Sequence, residues 1–275
     1  MLVATDPDAD RVGVEVLQKD GSYLNLSGNQ IGAIMAKYIL EAHKNAGTLP
    51  KNAALCKSIV STDLVTKIAE SYGATMFNVL TGFKFIAEKI QEFEEKHNHT
   101  YMMGFEESFG YLIKPFVRDK DAIQAVLVVA ELAAYYRSRG LTLADGIEEI
   151  YKEYGYYAEK TISVTLSGVD GAEQIKAIMA KFRNNAPKEW NATEITVVED
   201  FKEQTSTAAD GSVTALTTPP SDVLKYTLAD GSWIAVRPSG TEPKIKFYIA
   251  VVGETNEDSQ AKIANIEAEI NAFVR

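Results

Sequence analysis

One cysteine, Cys56, is all the chain carries in 275 residues. An internal disulfide is therefore excluded, and the usage fits a reducing cytoplasm. Cys56 falls within the apolar run Ala53 to Val60, which predicts a buried structural thiol rather than a nucleophile. An excess of basic residues is also missing: 28 Lys and Arg against 38 Asp and Glu give a net charge of −10. That balance argues against a nucleic-acid or anionic-membrane surface, but leaves room for a local basic pocket around an anionic small ligand. No apolar run approaches the ~18 residues of a membrane span, and the first residues lack the basic region of a signal peptide. Only three histidines occur; His97-Asn98-His99 lacks a third ligand and reads as a solvated loop. Repeats and low-complexity tracts are absent. The rest is ordinary for a globular protein, with 46% hydrophobic and 24% charged residues, and the length suits two or three domains.

The pattern changes twice along the chain. Strands are expected at Val12 to Leu17 and Tyr23 to Leu26, across Lys19-Asp20-Gly21-Ser22. A helix capped by Asn29 follows, carrying Ile31, Ile34, Met35, Tyr38 and Ile39 at helical spacing and stopping at Asn45-Ala46-Gly47. Residues 1–48 read as the last third of an α/β domain. From Ala53 strands and helices alternate: strand Leu55 to Val60, a helix capped by Ser61-Thr62-Asp63, strand Ala74 to Val79, helix Phe83 to Lys96, strand Tyr101 to Met103, strand Tyr111 to Ile113, and helices Ala122 to Ser138 and Leu143 to Tyr154. Such a series implies parallel strand pairs with ligand loops at their carboxyl ends, over 49–155. Residues 156–275 read as a small α+β module. Its strands are expected at Tyr157 to Leu166, Glu194 to Val198, Val223 to Leu228, Trp233 to Val236 and Lys244 to Val252. Helices are expected at Glu173 to Phe182 and Glu257 to Val274, a polar stretch at Gln204 to Ser212, and a hairpin turn at Ala229-Asp230-Gly231-Ser232.

Four loops concentrate polar chemistry. In Ala4-Thr5-Asp6-Pro7-Asp8-Ala9-Asp10-Arg11 three carboxylates alternate between apolar flanks. Crowding them is costly unless a cation is shared, and a hard divalent ion such as Mg²⁺ suits oxygen ligands. An EF-hand fails here: it needs glycine where Arg11 stands, glutamate where Leu17 stands, and flanking helices. Thr81-Gly82-Phe83-Lys84 stands between a strand and a helix, where free amides and Lys84 attract an anion; in isolation an ordinary glycine turn with a solvated lysine is the better reading. Gly104-Phe105-Glu106-Glu107-Ser108-Phe109-Gly110 offers carboxylates and a hydroxyl to sugar hydroxyls, with one glutamate facing a ligand. Downstream, Arg118-Asp119-Lys120-Asp121 reads alone as helix capping and surface ion pairs. In Arg237-Pro238-Ser239-Gly240-Thr241-Glu242-Pro243 a guanidinium, two hydroxyls and a glycine backbone make a phosphate nest.

In order and wording these loops resemble the α-D-phosphohexomutase superfamily, in its phosphoglucomutase/phosphomannomutase branch. Asp6 to Arg11 is similar to the metal loop D-G-D-x-D-R, with Pro7 at the usual glycine. Glu106-Glu107-Ser108 is similar to the sugar loop G-E-x-S, and Arg237 to Pro243 to the phosphate loop R-x-S-G-T-E-P. The resemblance implies mixed-sheet α/β domains, the end of domain 2 at 1–48 and domain 3 at 49–155, then a TATA-binding-protein-like α+β domain 4 at 156–275. It implies Mg²⁺ on Asp6, Asp8 and Asp10, with Arg11 holding a phosphoserine. Hexose phosphates would sit on Thr81, Gly82, Lys84, Glu106, Ser108 and Arg118, and on Arg237, Ser239, Gly240 and Thr241. Lys120 would transfer a proton or stabilise charge, and glucose 1,6-bisphosphate would act as activator. A T-A-S-H-N-P-like phosphoserine segment is not in the sequence, so the chain is expected to be a fragment, inactive without a missing N-terminal domain of the same enzyme.

Overall fold

A computed structural model describes residues 1–18, 20–166, 170–240 and 242–274. Two compact units divide the chain, Met1–Tyr154 and Gly155–Arg275.

The first unit opens with an antiparallel sheet of β1 (Leu2–Thr5), β2 (Val12–Leu17) and β3 (Tyr23–Leu26) in that order. Alternation buries Val12, Val14 and Val16 on one face of β2. Helix α1 (Gly28–Asn45) follows. Its N-cap is Ser27, not the expected Asn29: Ser27 Oγ accepts from Gln30 N, and Gln30 Oε1 accepts from Ser27 N. This reciprocal box satisfies two free donors where a lone asparagine would satisfy one. Asn29 is buried inside the first turn, its Oδ1 taking the Thr62 N–H at 3.1 Å.

Next come β4 (Ala53–Ser58), α2 (Leu64–Ser71), β5 (Thr75–Val79), α3 (Phe83–Lys96), β6 (Thr100–Glu106), β7 (Gly110–Leu112), α4 (Ala122–Ser138) and α5 (Leu143–Tyr154). The sheet order is β5-β4-β6-β7, with β4 parallel to β5 and β6, and β7 antiparallel to β6. Strand β6 runs on through Glu106, past the expected end at Met103, because its residues alternate between two helices. Gly104 faces α3, where a Cβ would come within 2.7 Å of Ile86; Phe105 faces α1 and fills the space beside Gly32. Helix α1 therefore packs on β6, α2 and α5. Cys56 is buried, and burial pushes its thiol up to about 12. His99 is not solvated as expected: its ring packs 4.9 Å from Phe77 and 5.1 Å from Phe93. The expected cap at Ser61-Thr62-Asp63 is also different. Asp63 makes no capping bond; its carboxylate lies 2.8 Å from the buried Lys57 ammonium.

The second unit holds β8 (Tyr156–Thr165), α6 (Gly171–Asn185), β9 (Glu189–Trp190), β10 (Thr193–Asp200), β11 (Thr205–Ala208), β12 (Val213–Ala215), β13 (Leu224–Leu228), β14 (Trp233–Pro238), β15 (Lys244–Gly253) and α7 (Asn256–Val274). An antiparallel sheet, β12-β11-β10-β13-β14-β15-β8, carries both helices against one apolar face. Phe182 and Met179 from α6 and Ile263, Ile266 and Ile270 from α7 meet Ile234, Val236, Ile245 and Phe247 there. Strand β11 lies in the polar stretch Gln204 to Ser212 and β12 directly after it, where no strand was expected. They end the sheet, where threonine and serine serve as well as apolar residues. The expected turn between β13 and β14 is present, with Gly231 at φ +86°. No described helix is long and apolar enough to cross a membrane.

Candidate functional site

Parallel pairing of β4, β5 and β6 sends three turns to one carboxyl edge of the sheet, residues 59–63, 80–82 and 107–109, where open α/β sheets take their ligands. Glu106 closes β6 and its Oε1 accepts from Gly82 N at 2.7 Å. Gly82 holds φ +125°, a region side-chain-bearing residues avoid. Beside it the Thr81 hydroxyl is buried with no hydrogen-bond partner among the described residues. Lys84 is exposed in the first turn of α3, its ammonium 4.8 Å from the Phe85 ring. Ser108 is half-buried in the turn that Phe109 closes at φ +69°.

The aspartate loop joins β1 to β2. Asp6 builds its frame, Oδ1 accepting from Asp10 N (3.1 Å) and Arg11 N (3.0 Å). The Arg11 N–H is the largest cause holding the Asp6 carboxyl below its ordinary value, against a smaller opposing effect of burial. Carboxylate oxygens of Asp6, Asp8 and Asp10 lie within 4.8 Å of one another. Asp10 Oδ1 is buried and has no hydrogen-bond partner among the described residues, though Arg11 Nε stands 3.6 Å away. Three converging hard oxygens, one of them without a donor, fit a divalent cation such as Mg²⁺.

The two loops are stitched together. Val12 N donates to Phe109 O (3.1 Å), Ala122 N donates to Ala9 O (3.1 Å), and Arg11 bridges Gly110. Lys120 reaches Asp10 Oδ2 at 3.0 Å and Asp119 at 2.9 Å. Burial lowers the affinity of its ammonium for the proton, but the two carboxylates outweigh that and the net shift is upward. Arg118 is not brought to this cluster: it pairs with Glu94 and donates to Pro115 O. Asp121 caps α4 through Gln124 N.

The phosphate-type loop belongs to the second unit, as the connection from β14 to β15. Ser239 N donates to Lys244 O (2.8 Å), Lys244 N to Glu242 O (2.7 Å), and Glu242 N to Ser239 Oγ (3.3 Å). Gly240 is exposed with open space where a Cβ would stand; Thr241 lies outside the described residues. Arg237 is half-buried and stands opposite Lys246 in the β14–β15 register. Two cations in directly opposed positions repel, so the pair favours an anion between them. Lys246 escaped the sequence reading, although its signal is there: alternation in Lys244-Ile245-Lys246 puts both lysines on the face opposite the core residue Ile245.

Two family descriptions match the chain: "Phosphoglucomutase/phosphomannomutase, alpha/beta/alpha domain III" over residues 27–154, and "Phosphoglucomutase/phosphomannomutase, C-terminal domain" over residues 170–272. Among curated relatives, a phosphoglucomutase of Staphylococcus aureus (strain bovine RF122 / ET3-1) is 38% identical over 264 residues, covering 96% of the chain and 47% of the relative. One from Staphylococcus haemolyticus is 36% identical over 266 residues, with the same coverage. The chain thus spans about half the length of these relatives. Among solved structures, the phosphoglucomutase parafusin of Paramecium, in its open form, superimposes with a TM-score of 0.64 at 21% identity, over 98% of the chain and 45% of that protein. An Aspergillus fumigatus N-acetylphosphoglucosamine mutase, solved with GlcNAc-6P and magnesium, gives 0.53 at 13% identity, over 99% and 49%. At these identities the structures show the shared fold.

Proposed function

The chain belongs to the phosphoglucomutase/phosphomannomutase family, and from that premise we propose that it carries the metal, sugar and phosphate loops of a phosphohexomutase acting on glucose 1-phosphate and glucose 6-phosphate. The observation that supports this most is the stitching of the aspartate loop to the chain just after Glu106–Ser108, through the Val12–Phe109 hydrogen bond, the Arg11–Gly110 bridge and Lys120, which pairs with Asp10 and lies against Gly110. A cation loop held against hydroxyl-binding groups suits a phosphoryl group moving on and off a sugar.

In this reading Asp6, Asp8 and Asp10 hold Mg²⁺, which supplies charge neutralisation during phosphoryl transfer. Glu106 and Ser108 bind sugar hydroxyls, with Thr81 Oγ1 as a further donor. In the second unit Arg237, Ser239 and Gly240, joined by Thr241 and Lys246, hold a phosphate group. Arg11 faces the phosphoserine, and Lys120 stabilises charge or moves a proton. The exchange runs through a hexose 1,6-bisphosphate. No motif of the chain supplies the phosphoserine, so binding without turnover is proposed for this chain alone. A domain 2 remainder, domain 3 and domain 4 are proposed in chain order. The packing of α1 and the domain III match from residue 27 support moving the first boundary from residue 48 to the start of α1.

A coupled assay for glucose 6-phosphate, with Mg²⁺ and catalytic glucose 1,6-bisphosphate, tests this beside calorimetry with glucose 1-phosphate. Binding without turnover is expected. Turnover by this chain alone contradicts the donor argument, and absence of binding contradicts the sugar-loop assignment. Mannose 1-phosphate in the same cell tests the phosphomannomutase alternative, since glucose and mannose share the hydroxyls that Glu106 and Ser108 would take.

A further inference from the structure

Glu106 and Glu107 leave β6 in opposite directions, and the second carboxylate turns into the protein. Glu107 Oε2 accepts from Ser58 Oγ at 3.1 Å and from Ser61 Oγ at 3.4 Å. Ser61 Oγ in turn accepts from Glu107 N at 3.1 Å, and the two serine oxygens lie 2.8 Å apart. Both serines are fully buried. Their bend is fixed from beneath: the buried Lys57 donates to Ser61 O (3.1 Å) and pairs with Asp63 (2.8 Å). On the other side, Gly28 at the start of α1 presses on Glu107 O, where a Cβ would come within 2.0 Å, and Tyr111 Oη donates to Gly28 O. The turn that presents Glu106 and Ser108 is thus gripped through the one residue between them.

We infer that Glu107 is a positioning residue: anchored by the buried hydroxyls of Ser58 and Ser61, it sets where Glu106 and Ser108 stand for a hexose phosphate. This rests on reading the turn as the sugar loop. The role is indirect: Glu107 Oε2, engaged by two buried hydroxyls, is directed inward, away from the face that Glu106 presents. Removing it leaves the two hydroxyls only each other, one of them without an acceptor, and releases the turn from its anchor.

The test compares Glu107→Ala, Glu107→Gln and the pair Ser58→Ala/Ser61→Ala in the full chain. Calorimetry reads glucose 1-phosphate and, separately, inorganic phosphate; hydrogen exchange reads the amides of residues 82 and 107–109. Glu107→Ala and the serine pair should each weaken glucose 1-phosphate at least tenfold, with inorganic phosphate unchanged within twofold and faster exchange at those amides. Glu107→Gln, whose side-chain oxygen still accepts both hydroxyl bonds, should stay within threefold. Weakening by Glu107→Ala with the serine pair normal would show direct sugar contact and overturn the inference; so would unchanged binding in all variants. If the unmodified chain binds no glucose 1-phosphate, the sugar-loop reading fails, and exchange still decides the anchor: protection lost in Glu107→Ala supports it, protection kept overturns it. Should the variants not fold, the unmodified chain suffices, since rapid exchange of the Glu107 amide contradicts its bond to buried Ser61 and slow exchange supports it.

Discussion

Lys120 places its ammonium 3.0 Å from the carboxylate of Asp10, and its alkyl chain crosses Gly110, where a Cβ would lie 2.3 Å from Lys120 Cδ. One side chain thereby ties the aspartate loop to the strand that follows the Glu106–Ser108 turn. Its charge also competes with any cation at Asp10. Lys120→Gln should tighten Mg²⁺ binding about two- to fivefold, the scale of a partly exposed ion pair. Gly110→Ala, which displaces the lysine without removing it, should act in the same direction. Titration calorimetry with Mg²⁺ checks both, and unchanged affinity in the two variants contradicts the competition.

Asp8 is the most exposed of the three aspartates and makes no frame for the loop, which Asp6 builds through the Arg11 and Asp10 amides. Asp8→Asn should therefore lower Mg²⁺ affinity at least tenfold with the melting temperature shifted by no more than about 2 °C, as for a substitution outside the packed core. Asp6→Asn should lower both. Equal effects of the two variants on stability would contradict the division of labour.

In the second unit Arg183 links Asp200 (2.6 Å) and Asp222 (2.8 Å) beneath the start of β13. Burial works to raise the Asp200 carboxyl, but its bonds from Arg183 and from the Glu203 and Lys202 amides prevail, and the folded value is depressed. A carboxylate depressed on folding contributes stability that is complete above its unfolded pKa of ~3.9 and is lost as pH falls through the folded value. Asp200→Asn should cost about 1.5–3 kcal/mol at neutral pH, the scale of hydrogen bonds to a charged group, since Arg183 keeps Asp222 as a partner. The difference from the unmodified chain should shrink below about pH 4. Chemical unfolding at pH 7 and pH 3 measures this; a constant difference contradicts the ion-pair account.

Cys56 is sealed under α3 with its thiol pushed up to about 12 by burial. Ellman's reagent at pH 8 should leave the native chain unmodified over an hour and find one thiol in guanidinium chloride. Rapid native reaction would contradict the burial.

How legible these features were follows from the range of the interactions. Helices α3, α4 and α5 match their expected ends, because apolar spacing, Gly82, Asp121 and Gly155 mark them locally. The loop chemistry was legible because Asp, Glu, Arg and Gly cluster within a few residues. What could not be read depends on distant partners. Glu107 finds Ser58 and Ser61 across more than forty residues, Lys120 finds Asp10 across most of the first unit, and Arg118 is drawn aside by Glu94. Strand β6 outran its expected end because Gly104 and Phe105 are specified by Ile86 and Gly32, not by their neighbours in sequence. Strands β11 and β12 were hidden because a sheet's edge does not demand apolar alternation.

The proposal that the Glu106–Ser108 turn of the first unit takes a hexose phosphate is tested most directly by calorimetric titration with glucose 1-phosphate in the presence of Mg²⁺. The account predicts saturable binding, displaced by glucose 6-phosphate and weakened at least tenfold by Glu106→Gln, a loss of about 1.4 kcal/mol or more. Tight Ca²⁺ or Mg²⁺ binding with no affinity for glucose 1-phosphate, or binding indifferent to that substitution, would contradict it.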